Sequence, residues 1–154
     1  MKNLILLCGL LIACTINAQD KKIKTQIEPP IEVTLAFEKQ FPNVQAQWTK
    51  TYRGEMFSEL NFDADFILKN VPMSATYNES GAFKALTCEI LPEELPKSAQ
   101  NYLQKNYPNL PVQKIIKVTN DVAQTHYEVG LLVQGQVADA VFNAQGDFLN
   151  FAGK

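Results

Sequence analysis

The chain has 154 residues, 46% of them hydrophobic and 19% charged, with 14 basic against 16 acidic side chains. A formal net charge of −2 without any basic cluster excludes the electrostatic footprint of a nucleic-acid binder, and equally that of a protein held on an anionic membrane surface.

Met1-Lys2 supplies a positive charge, Leu4 to Ala13 is an apolar run too short to span a bilayer, and Ile16-Asn17-Ala18 ends on a small residue. Residues 1–18 therefore read as a signal peptide cleaved after Ala18. Leu11-Ile12-Ala13-Cys14 also fits a bacterial lipobox, in which Cys14 would be lipidated and become the first mature residue. Either route exports the chain, to the periplasm or outside the cell, or to an anchor through Cys14. Removing the signal takes away Lys2, which widens the acidic excess slightly, and leaves Cys88 as the cysteine certain to remain. No intrachain disulfide can then form. Residues 19–29 are polar and without period, the pattern of a flexible leader.

Pro30 opens a helical pattern in which Val33, Phe37 and Phe41 recur every four residues, and Pro42 ends it. The period then falls to two. Val44, Ala46, Trp48 and Tyr52 alternate with Gln45, Gln47, Thr49 and Thr51, and Arg53-Gly54 turns the chain into a second strand from Met56 to Phe62. Asp63 to Asn70 is expected as a loop, Val71 to Tyr77 as a third strand, and Asn78-Glu79-Ser80-Gly81 as a hairpin into a fourth strand, Phe83 to Ile90. Leu91 to Leu95 is a linker. From Pro96 the design recurs. Ala99, Leu103 and Tyr107 mark a helix stopped by Pro108, and strands follow near Val112–Thr119, Thr125–Val133, Val137–Phe142 and Asp147–Phe151. The turn at Asn120-Asp121 is expected to be longer than its counterpart, and the one around Gln134-Gly135-Gln136 shorter.

Two phrases recur. Phe41-Pro42-Asn43 returns as Tyr107-Pro108-Asn109, and Tyr77-Asn78-Glu79-Ser80-Gly81-Ala82-Phe83 returns as Phe142-Asn143-Ala144-Gln145-Gly146-Asp147-Phe148, at almost the same offset. Matched order at a matched spacing points to a duplicated unit. The expected fold is α+β, a tandem repeat of one helix followed by a four-stranded antiparallel sheet. The first repeat covers residues 30–90 and the second 91–154, with two sheets side by side and helices on one face.

These motifs, with the tryptophan strand and the Leu-Pro linker, resemble the PepSY-like, beta-lactamase-inhibitor-like family of exported bacterial proteins common in Bacteroidetes. The resemblance covers residues 31 to 152. It implies a fold similar to the tandem-repeat beta-lactamase inhibitor protein, no enzymatic activity, no cofactor, and a protein partner held on the open sheet face. This chain keeps one mature cysteine where that inhibitor carries disulfides.

The residues themselves offer little chemistry. Nucleophilic catalysis would need Cys88 beside His126, the only histidine, and every glycine after the signal stands alone, so no phosphate loop exists. One histidine and one cysteine cannot close a zinc site. Asn61, Asp63 and Asp65 place three oxygen ligands at spacing two, a fragment of a calcium loop that lacks the following glycine and the distal glutamate. A small-ligand or cation-binding envelope protein is therefore the alternative reading. Trp48, Tyr52, Leu60 and Phe62 belong to the face that meets the helix. The opposite face is expected to carry Gln47, Thr49, Phe57, Glu59, Lys117, His126 and Glu128, an aromatic anchor among polar neighbours as at protein interfaces.

Overall fold

The computed structural model describes residues 27–53, 56 and 58–152. The segments expected as signal peptide and lipobox, most of the expected leader, and Phe57 lie outside the described residues. The first helix, α1 (Ile31–Gln40), begins where Pro30 fixes φ at −53° and its carbonyl accepts from Val33 and Thr34 N–H, both at 3.1 Å. It ends where Phe41 N–H reaches the Phe37 carbonyl at 2.7 Å and Pro42 can donate nothing. Strands β1 (Gln47–Arg53), β2 (Glu59–Leu68), β3 (Val71–Asn78) and β4 (Phe83–Glu89) follow. A 3₁₀ turn at Pro92–Glu94 leads to α2 (Lys97–Asn106), then β5 (Val112–Asn120), β6 (Thr125–Val133), β7 (Gln136–Asn143) and β8 (Phe148–Ala152).

All eight strands form one antiparallel sheet in chain order. The expected pair of adjacent sheets is thereby corrected. β4 pairs with β5 in five register positions, Ala85 opposite Asn120 through Glu89 opposite Ile116. Both strands would otherwise be edges with unpaired backbone groups, and joining them removes that cost.

The sheet is covered on one side. Val33, Phe37, Phe41, Trp48, Phe62, Ala64, Phe66, Ala75 and Tyr77 form one core under α1, and Leu95, Ala99, Ile115, Val129, Leu131, Ala140 and Phe142 form a second under α2. Alternation puts Trp48, Tyr52, Leu60 and Phe62 on this face, and the register agrees: Trp48 lies opposite Ala64 and Tyr52 opposite Leu60. Tyr52 nevertheless stays 58% exposed, beyond the reach of the helix.

The expected loop from Asp63 to Asn70 is corrected. β2 runs on through Leu68, and the connection to β3 is the two residues Lys69 and Asn70, with φ of 51° and 66°. Positive φ at both central residues marks the hairpin turn whose twist matches its strands. Gln134 (φ 49°) and Gly135 (φ 81°) make the same turn between β6 and β7, so neither connection is the shorter. Nor is the β5–β6 turn the longer one: positions 54–58 separate β1 from β2, whereas only 121–124 separate β5 from β6.

At the other end of the sheet, one asparagine side chain organises each of three hairpins. Asn78 Oδ1 accepts from Ser80 and Ala82 N–H at 3.1 and 2.9 Å, and Asn143 Oδ1 from Gln145 and Asp147 N–H at 3.0 and 2.9 Å. Asn120 Oδ1 does likewise with Val122 and Gln124 at 3.1 and 2.8 Å. Such loops are Asx turns, which supply backbone N–H groups with partners the ladder cannot offer.

Tyr77 is 1% exposed, and its hydroxyl donates to Gln40 Oε1 at 2.9 Å, tying β3 to the last turn of α1. Burial pushes its pKa from 10.0 to about 12. The folded state thus disfavours the phenolate. The resulting stability is fully present below pH 10 and is lost as pH rises through 12. Tyr77→Phe should flatten this alkaline decline and cost about 1 kcal/mol at neutral pH, where the bond to Gln40 is missing. Urea titrations at neutral pH and across the alkaline range check both; an unchanged alkaline slope would assign it to other groups.

Candidate binding face of the sheet

The side of the sheet away from the helices has no layer over it among the described residues. Residues directly opposite in an antiparallel pair share a face, so the register places every candidate. Gln47 lies opposite Asp65, Thr49 opposite Asp63, and Glu59 opposite Arg53, all on the uncovered side. His126 faces Val118 and Asn143, and Glu128 faces Ile116 and Val141, on the same side. Lys117 is corrected. It lies opposite Cys88 and Tyr127, and so belongs to the helix-covered side. Ile115 and Ile116 are consecutive apolar residues that serve opposite faces, and this hides the parity of β5. Phe57 lies outside the described residues.

The centre of the first half is polar and tightly bonded. Asp63 is only 7% exposed. Its carboxylate accepts from Thr51 Oγ1 at 2.9 Å and from Thr76 Oγ1 at 2.5 Å, the kind of pairing a buried charge requires. Asn61, also buried, donates from Nδ2 to the Glu59 carbonyl at 3.2 Å. Asn61, Asp63 and Asp65 therefore sit on a strand rather than in a cation-binding loop. No group of three or more His, Cys, Asp or Glu suited to a metal ion occurs among the described residues.

Along the β2–β3 end a hollow of about 800 Å³ crosses β1 to β5, lined on the open side by Gln47, Asp65, Ile67, Ser74, Thr87, Glu89 and Lys114. Glu59, Asp63, Asp65, Glu89, Glu128 and Asp139 share this face with Arg53, Lys114 and His126. In the second half His126 Nε2 lies 3.1 Å from Glu128 Oε1, both side chains about one-third exposed. Cys88 and His126 lie on opposite faces, which keeps a thiol–imidazole pair apart. Burial pushes the Cys88 thiol up, Lys117 across the strand pair opposes this, and Glu94 adds to it. No candidate helix for crossing a membrane occurs among the described residues.

An eight-stranded antiparallel sheet with two helices on one face is an α+β architecture of the BLIP-like kind. A BLIP-like protein from Bacteroides fragilis has the same fold at 18% identity and a TM-score of 0.63, over 82% of this chain and 86% of that one. A DUF2874 family protein from Bacteroides ovatus matches at 16% identity and a TM-score of 0.68, over 82% and 88%. A candidate periplasmic protein from Bacteroides eggerthii matches at 14% and 0.70, over 82% and 89%. No family model matches the chain, and no curated protein does either.

Proposed function

We propose that the chain is an exported, non-enzymatic binding module that holds a protein partner on the uncovered face of its sheet. The observation that carries this reading is the asymmetry of the sheet: both cores lie on one side, while the other side is broad, hollowed and mixes polar with aliphatic side chains, with Ile67 70% exposed at its rim. A broad face of mixed polarity suits another protein surface better than a small molecule, whose sites are enclosed and mostly apolar. Export rests on the Lys2, Leu4–Ala13 and Ala18 pattern, with the periplasmic description of a fold neighbour in support.

The PepSY-like assignment and the duplication belong to the same proposal. The turn at Lys69-Asn70 recurs as Gln134-Gly135 and the Asn78 hairpin as the Asn143 hairpin, both at one common offset, and each half runs helix then four strands. The cation reading is disfavoured, because the Asp63 carboxylate is already bonded to two threonine hydroxyls. The test is capture from the native envelope fraction with chemical crosslinking. Gln47→Arg combined with Ile67→Arg, both at exposed positions, should abolish capture while shifting stability by no more than about 0.5 kcal/mol. Leu35→Arg, on the outer side of α1 and 57% exposed, should leave capture intact. Loss of capture with Leu35→Arg alone would move the binding surface to the helices.

A further inference from the structure

The uncovered face repeats one layout in its two halves and then breaks it. Asp63 in β2 lies between Thr49 and Thr76. At the matching place in the second half, Glu128 in β6 lies between Ile116 and Val141. One step along, Asn61 lies between Thr51 and Asn78, and His126 between Val118 and Asn143. Thr51 and Thr76 give way to Val118 and Val141, which have nearly the same shape, and Thr49 to Ile116, so the second half loses the hydroxyls.

The consequence falls on the carboxylates. Asp63 is almost closed off, with the Thr51 and Thr76 hydroxyls as donors. Glu128 has no hydroxyl on either flank, hydrogen-bonds His126, and keeps its side chain 34% exposed. Aliphatic neighbours thin the water around a charge without giving it donors, and an incoming cation gains more there than at a fully hydrated carboxylate. Glu128 and Ile116 line a hollow of about 410 Å³ together with Lys114, Val137 and Asp139, so carboxylates outnumber ammonium groups in it.

Arginine suits this arrangement on two counts. Its planar guanidinium can bond a carboxylate through two N–H groups, and its methylene stem can pack on Ile116 and Val141. Resting on the binding-face reading above, we infer that Glu128, with Ile116 and Val141 as its walls, is the anchor that takes an arginine side chain of the protein partner. The Asp63 centre is the structural counterpart, already closed by threonine.

The test is selection of a random-peptide display library on the immobilised exported chain, followed by affinity measurements on the enriched peptides. Enriched peptides should carry arginine, and replacing it with citrulline or introducing Glu128→Gln should cost about tenfold or more in affinity. Val141→Thr, which restores a hydroxyl beside Glu128, should weaken binding several-fold, and Asp65→Asn should change little. Peptides blocked by Gln47→Arg/Ile67→Arg but lacking arginine, or indifferent to Glu128→Gln, overturn the arginine anchor and leave the binding face standing. Peptides indifferent to every open-face substitution overturn both, and a library that enriches no arginine-bearing sequence overturns the anchor.

Discussion

Phe37→Ala should lower the free energy of unfolding by about 3–5 kcal/mol. Phe37 is 3% exposed on the inner side of α1, and four rings surround it: Phe41 at 5.2 Å, Trp48 at 5.4 Å, Phe66 at 5.3 Å and Tyr77 at 6.4 Å between centroids. Three of these contacts are edge-on, the arrangement aromatic quadrupoles favour. Truncation opens a cavity that rigid neighbours cannot fill, and such a loss is a large share of a domain's total stability, on the order of 5–15 kcal/mol. Trp48, the single tryptophan, reports on this half directly. Because β4 and β5 join the halves into one sheet, fluorescence and far-UV circular dichroism should shift together to lower urea. A shift in fluorescence alone would mean that the α1 half unfolds by itself.

Gly81→Ala should cost about 2–4 kcal/mol, more than a surface turn ordinarily bears. Gly81 has φ of 77°, and a methyl group there would stand 2.5 Å from the Glu32 carbonyl oxygen and 2.9 Å from its carbon. Those atoms belong to the first turn of α1, which cannot retreat without losing its seat on the sheet. Gly146 stands in the same relation to α2, hemmed by Ser98, Pro96 and Ala99, with the Ser98 hydroxyl donating to the Gln145 carbonyl. Gly135 separates the two contributions. Its φ is 81° with nothing within 4 Å of an added carbon, so Gly135→Ala should cost only the conformational part, about 1–2 kcal/mol. Equal losses at Gly81 and Gly135 would show that the hairpin-to-helix contact contributes nothing.

What was legible in the residues, and what was not, follows from how local each cause is. Pro30, Pro42, Pro96 and Pro108 bound the helices because proline acts within one or two residues. The hairpins at Asn78 and Asn143 were legible because an asparagine carbonyl and a glycine are needed a few residues apart. The glycines' second role, clearance for a helix distant in sequence, left no local trace. The end of β2 was missed because Asp63-Ala64-Asp65 reads as loop until Thr51 and Thr76 are beside it, and because Lys69-Asn70 makes its turn without glycine. Joining β4 to β5 depends on a crossing through α2, far outside any sequence window.

The candidate face divides the same way. Strict alternation in β1 and β6 put Gln47, Thr49, His126 and Glu128 on the correct side, and Lys117 was misplaced where two isoleucines obscure the period. The contrast between Asp63 and Glu128 depends on flanking strands, so neither strand alone reveals it.

The central claim is that the uncovered sheet face meets a protein partner, and site-specific photocrosslinking in the native envelope tests it most directly. A photoreactive residue at position 67, exposed at the rim of the hollow, should give a discrete protein adduct, whereas the same residue at position 35 on α1 should give none. Adducts at position 35 with none at position 67 would contradict the account.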